Sequence, residues 1–220
     1  MASDGGGVAC GQRCDERRGV GAARERTRAN LGVSEMRATE VVRRQLDSIH
    51  KRFTETAGGV TDAEWTARAL PGANLPGFTL WHMARGQDWG VHTLIRGVPE
   101  VIADAHWASV GGPGTPSMGL DMTLDEADAI ARSVTRADVL DYHNAVHARI
   151  VEWVATLADD DLDATPDSAV HQAAIPAYQH PAYAEEAGGT VLTYLVGPCF
   201  GHMRGHLGEL ETLLHAMRTR

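Results

Sequence analysis

Long apolar runs are missing from this chain. Even its richest stretch, "TVLTYLVGPCFG" at 190–201, is broken by a glycine and a proline, and nothing approaches the ~20 residues a membrane helix needs. No membrane partner is expected. Cysteine is scarce: Cys10, Cys14 and Cys199 are the only three, too few and too scattered for a disulfide framework, as suits a reducing cytoplasm. A basic excess is lacking as well. With 20 Lys and Arg against 29 Asp and Glu, the formal charge is −9, which repels phosphate and argues against nucleic-acid binding. Small molecules or proteins are the expected partners.

Several catalytic signatures are also absent. There is no Gly-x-x-x-x-Gly-Lys-Ser/Thr, no Gly-x-Gly-x-x-Gly after a strand and no Gly-x-Ser-x-Gly elbow, which removes the common nucleotide folds and the hydrolase elbow. His-Glu-x-x-His does not occur, so a zincin protease is unsupported. No Glu is followed three residues later by His, whereas di-iron carboxylate bundles need a pair of such motifs. Alternating strand patterns and internal repeats are likewise missing.

What is present is helical. The length of 220 residues favours a single domain, and the first 34 residues stand apart from it. They are rich in Gly and Ala, carry six arginines against four acids and show no apolar period. They are expected to be a disordered tail, or upstream sequence before a natural start at Met36. Cys10 and Cys14 there look like half a zinc site with no second pair nearby. The domain is expected over 35–220.

From Met36 onward, Val42, Leu46, Ile49 and Phe53 recur at intervals of four, three and four before a Gly-Gly stop, predicting a first long helix. Thr61 with Glu64 and Thr123 with Glu126 have capping-box spacing, and each predicts a short helix. A second long helix is predicted from Thr79, as N-cap, to Gly97 and Pro99. A third follows Thr135 and Asp138, with a stripe of Val139, Tyr142, Val146, Ile150, Trp153 and Leu157. The last opens at Thr190 and carries Met203, Leu207, Leu210, Leu214 and Met217 on one face. Residues 104–122 and 159–189 read as irregular connections. Four long helices with short ones between them predict an all-α fold, a four-helix bundle.

Bundle cores build metal and cofactor sites from facing helices, so eleven histidines invite attention. In "CFGHMRGHLGELE", His202 and His206 lie one turn apart, separated by about 40° around the helix, on a stripe that Cys199 and Glu209 extend. Two imidazoles so placed can converge on one ion. Pro198 before them predicts a kink, and Gly197, Gly201, Gly205 and Gly208 suggest room for a backbone or a ligand to come close. The signal is weak by itself, because His143 and His147 repeat the same spacing on the third helix. On the second helix His82 lies opposite the stripe of Leu80, Ala84, Val91 and Ile95, together with Arg85, Trp89 and Arg96. That side is expected to face a cleft, since exposed tryptophan is uncommon. His92 is about 80° away from His82 and should not share its ion.

The segments "LPGFTLWHMARGQDWGVHTLIRG" and "GHMRGHLGELETL" together resemble the DinB/YfiT-like superfamily, which includes mycothiol-dependent maleylpyruvate isomerase and bacterial thiol S-transferases. The likeness runs in element order from about Met36 to the C-terminus, with the specific motifs on the second and fourth long helices. It implies that His82, His202 and His206 hold a divalent metal, zinc or nickel, and raises the 202/206 pair above 143/147. It further implies a low-molecular-weight thiol, such as mycothiol or bacillithiol, reacting with a small electrophilic substrate, and a frequent homodimer. Arg85 and Arg96 could bind an anionic part of substrate or thiol and Trp89 could wall the pocket, with surface solvation and core packing as the plainer readings. A non-catalytic metal- or ligand-binding member of the same fold is the alternative function.

Overall fold

A computed structural model describes residues 36–111, 118–166 and 189–219 of the chain. The tail expected over 1–34 and parts of both long connections lie outside the described residues. Residues 37–220 make one compact unit. Every regular element among the described residues is helical, as the periodicity predicts.

The first helix, α1 (Ala38–Gly58), buries Val42, Leu46, Ile49 and Phe53. The short α2 (Asp62–Trp65) begins with the expected capping box between Thr61 and Glu64. Next comes α3 (Pro76–Asp88), and its start differs from expectation. Leu75 is the N-cap and Pro76 opens the helix, whereas Thr79 lies inside it and turns its hydroxyl to the Leu75 carbonyl, 3.4 Å away. Proline at the first helical position loses no hydrogen bond and brings a preset φ, so it outweighs a threonine three residues later. The run then widens into a π-helical segment, Trp89–Ile95.

Both remaining caps are as read: Thr123 and Glu126 box the start of α4 (Leu124–Ser133), and Thr135 accepts from the Asp138 amide at the start of α5 (Arg136–Val154). Thr190 caps α6 (Val191–Tyr194). A second π-helical segment, Leu195–Gly201, leads into α7 (His202–Arg218). The kink expected at Pro198 is thus a wide turn. Proline has no N–H to place in the regular ladder, and the longer repeat absorbs the lost bond.

The four long helices close into a ring in which α1 packs on α5, α5 on α3, α3 on α7 and α7 on α1. Within it α3 is the most enclosed. Residues 76–95 are buried without exception, so the polar side chains in that run have to find partners inside the protein. This enclosure places His82 on the seam between α3 and α7.

Candidate metal centre

His82 is 8% exposed, and its ring is held from one side. Its Nδ1 lies 2.6 Å from the Met118 carbonyl. A carbonyl only accepts, so Nδ1 carries the proton and Nε2 is left with its lone pair. The carbonyl reaches that position through a turn in which Gly119 has φ +99°, a conformation open to glycine and strained for other residues. A Cβ there would also stand 3.1 Å from the Phe78 and Trp81 rings and 3.2 Å from His82 Nδ1.

Across the seam, the first two turns of α7 supply the other two rings. His206 Nδ1 lies 2.9 Å from Glu209 Oε2, so it donates to the carboxylate and Nε2 is again the free nitrogen. His202 brings its Nε2 to 2.9 Å from Nε2 of His82. The three ring centroids are 4.7–5.0 Å apart, and one nitrogen from each ring lies within 4.8 Å of the others. Imidazole nitrogens on a tetrahedral zinc sit roughly 2.0–2.1 Å from the ion and so about 3.3 Å from one another, a spacing within small side-chain adjustments of this one. The short contact between His82 and His202 needs a proton or a cation between two nitrogens that would otherwise set lone pair against lone pair.

Electrostatics favour the ligating form. Burial pushes His82 down to about 4, opposed by the Met118 hydrogen bond and assisted by the nearby His206. Burial, followed by the neighbouring His82 and His206, takes His202 down to about 3. Both rings are neutral at pH 7, which is the state a metal ligand requires. The residues present therefore fit a divalent ion: all three in donor type, His82 and His206 in tautomer, and His82 and His202 in charge.

Room for the cluster comes from an unexpected place. A Cβ at Gly86 would lie 2.8 Å from His202 Cε1, so the bare α3 backbone is what admits this ring. Gly205 and Gly208, read as making space for another backbone or a ligand, have no described protein atom within 4 Å of an added Cβ, and Gly201 meets just the Val196 carbonyl. The last helical run turns those glycines away from the cluster, and the close approach is made by the facing helix instead.

The other residues singled out on the second helix go elsewhere. Arg85 is 2% exposed and donates from Nη1 to Glu100 at 2.7 Å, Tyr142 at 3.0 Å and Asp88 at 3.4 Å. Trp89 is 3% exposed, in the core. Arg96 is half-buried and lies over the Trp153 ring at 5.5 Å. Asp88, fully buried, accepts from the backbone amides of Val101 and Ile102 and from Tyr142 and His92. Burial alone would raise its carboxyl, and these donors more than offset that and hold it low. The rival pair joins another cluster: His147 stacks on His50 of α1 at 3.9 Å, and His143 meets Gln87 at 3.1 Å. Among the described residues the metal-compatible grouping is His82, His202 and His206.

The model of the DinB superfamily matches residues 45–210. The chain belongs to the DinB superfamily. The match takes in both helices that carry this superfamily member's histidine cluster. Among solved structures, a conserved protein from Enterococcus faecalis is similar with a TM-score of 0.65 and 19% identity, over 84% of this chain and 100% of that one. At that identity the likeness shows the shared fold. Among curated proteins none matches.

Proposed function

We propose that this DinB-superfamily protein is a divalent-metal-dependent enzyme that uses a low-molecular-weight thiol, of the mycothiol type, for transfer or isomerisation on a small electrophile. The convergence of three imidazoles at one helix seam carries the reading. Zinc or nickel suits such a nitrogen set. When bound, the ion leaves an open position at which a thiol loses its proton and becomes nucleophilic at neutral pH. The protein's own part is to fix the ligands. Met118 and Glu209 hold His82 and His206 in the tautomer that points Nε2 inward, and Gly86 leaves His202 its place.

Half-burial of His202 and His206 supports a site that small molecules can reach from the α7 side. Arg85 and Trp89 enter this reading as framework: the buried arginine is already matched by two carboxylates and a phenol, so it braces α3. No helix among the described residues is long and apolar enough to cross a membrane; a cytoplasmic location is part of the proposal. A homodimer is part of the same proposal.

Elemental analysis of the purified full chain, beside His206→Ala, tests the centre. About one zinc or nickel per chain is expected, with loss of the ion in the variant. Absence of metal from both would sink the proposal. Turnover of an electrophile with added mycothiol and metal tests the chemistry. A metal-loaded protein inert across a broad thiol panel would point to the non-catalytic binding role instead.

A further inference from the structure

A second feature lies about 15 Å further along the same helical run, ten residues beyond His82. There a cleft of about 560 Å³ opens between the π-helical segment and the end of α5, lined by His92, Arg96, Val98, Arg149, Glu152 and Trp153 among others. Its size is that of a small-molecule pocket. Three features give it chemistry. First, His92 is 1% exposed, and its Nδ1 lies 2.9 Å from the Asp88 carboxylate. Its Nε2 is buried with no hydrogen-bond partner among the described residues. Second, Arg96 and Arg149 line the same cleft, and neither makes an ion pair among the described residues. Burial, and then the charge of Arg149, lowers the Arg96 guanidinium, while Glu152 partly relieves it. The rim thus holds two guanidinium charges against one carboxylate. Third, Val98, Pro99 and Trp153 offer an apolar wall.

We infer that this cleft binds a small organic carboxylate with a flat apolar body and a hydroxyl, the carboxylate meeting Arg96 and Arg149 and the hydroxyl donating to His92 Nε2. The direction of each contact follows from the groups. With Nδ1–H committed to Asp88, Nε2 is the ring nitrogen left to meet a ligand, and its lone pair asks for a donor. Two guanidinium groups at a half-open rim, Arg96 over the Trp153 ring and Arg149 beside it, without an ion pair among the described residues, ask for a planar, bidentate anion. A π-helical segment carries His92, and such widened turns recur where a helix serves a site. The site is independent of the histidine triad and of the thiol reading, so either can fail without the other.

The test is binding of 4-hydroxybenzoate to the full chain, followed by calorimetry or by NMR shifts at Trp153, with 4-methoxybenzoate, methyl 4-hydroxybenzoate and inorganic phosphate as comparison probes. Saturable binding of 4-hydroxybenzoate is expected, weakened about tenfold or more by Arg96→Gln and by Arg149→Gln, as befits the loss of a charge-assisted hydrogen bond. Arg149 is exposed, so its variant leaves the fold intact. Both the ester and the methoxy compound should bind more weakly than the parent. In His92→Asn, which keeps a donor toward Asp88 but lacks Nε2, the preference for hydroxyl over methoxy should vanish. Absence of binding at millimolar ligand, affinity unchanged by both arginine variants, or phosphate binding as tightly as 4-hydroxybenzoate would each overturn the inference. The same measurement repeated on His206→Ala should give an unchanged affinity.

Discussion

At the scale of single residues, the histidine cluster depends on an atom that is absent. Gly86 contributes no side chain, and His202 occupies the space one would fill. Alanine at this position would ordinarily favour the helix by up to about 1 kcal/mol, but its Cβ would force the imidazole to move. Gly86→Ala is therefore expected to leave thermal stability within about 1 kcal/mol of the parent while weakening metal affinity by about 10–100-fold, the size seen when ligand orientation is disturbed. Zinc titration against a competing chelator, together with a melting curve, checks both halves. The histidines themselves were legible: His-x-x-x-His spacing identifies a pair on one face, and the stripe shared with Glu209 anticipates the carboxylate that orients His206. Gly86 and the Met118 carbonyl were not legible, because neither residue type has ligand chemistry. Their roles arise from which helix faces which.

At the scale of elements, close packing of α2 on α3 shows how strictly the helical register is set. Trp65 donates its indole N–H to the Ala131 and Val134 carbonyls at 3.0 and 3.2 Å, and its ring lies against bare backbone at Gly77, where a Cβ would be 2.5 Å from Nε1. Gly77→Ala should destabilise the fold by about 1–3 kcal/mol through overpacking, read as a lower urea midpoint with an unchanged slope. Most helices were readable because caps and apolar stripes agree, as at Thr61, Thr123 and Thr135. The π-helical segments were not, since seven residues are too few for an apolar pattern to distinguish one helical repeat from another. Helix α3 misleads for a related reason. A helix buried on every side has no polar face, so the opposition of His82, Arg85 and Trp89 to an apolar stripe, read as a cleft, is in part the inward-facing polar network around Asp88.

At the scale of the whole molecule, the ring has two histidine-bearing seams on opposite sides: the triad between α3 and α7, and the stack of His50, His143 and His147 between α1 and α5. Burial, with His147 beside it, lowers His50 to about 4, against the opposing pull of Asp47. Burial lowers His143 as well, with His50 and His147 adding to it. The unfolded chain, with histidines near their ordinary value of about 6.5, binds more protons than the folded one between those limits. Stability should therefore be full above pH 6.5 or so and fall as the pH drops toward 4. In metal-free protein His82 and His202 act in the same sense. Urea melts at a series of pH values should show this decline, and His50→Leu should make it shallower. A decline identical in the variant would assign the effect to the other rings.

His82 and His202 stand 120 positions apart in the chain. An ion held between them would act as a removable clasp on a very long loop, joining a helix from the first half of the sequence to the last helix. Closing so long a loop restricts the unfolded chain more than closing a short one would, and binding to the folded form alone adds stability that grows with free metal. The supply of metal in the cell would then govern how firmly the bundle is shut, before any question of chemistry at the ion arises.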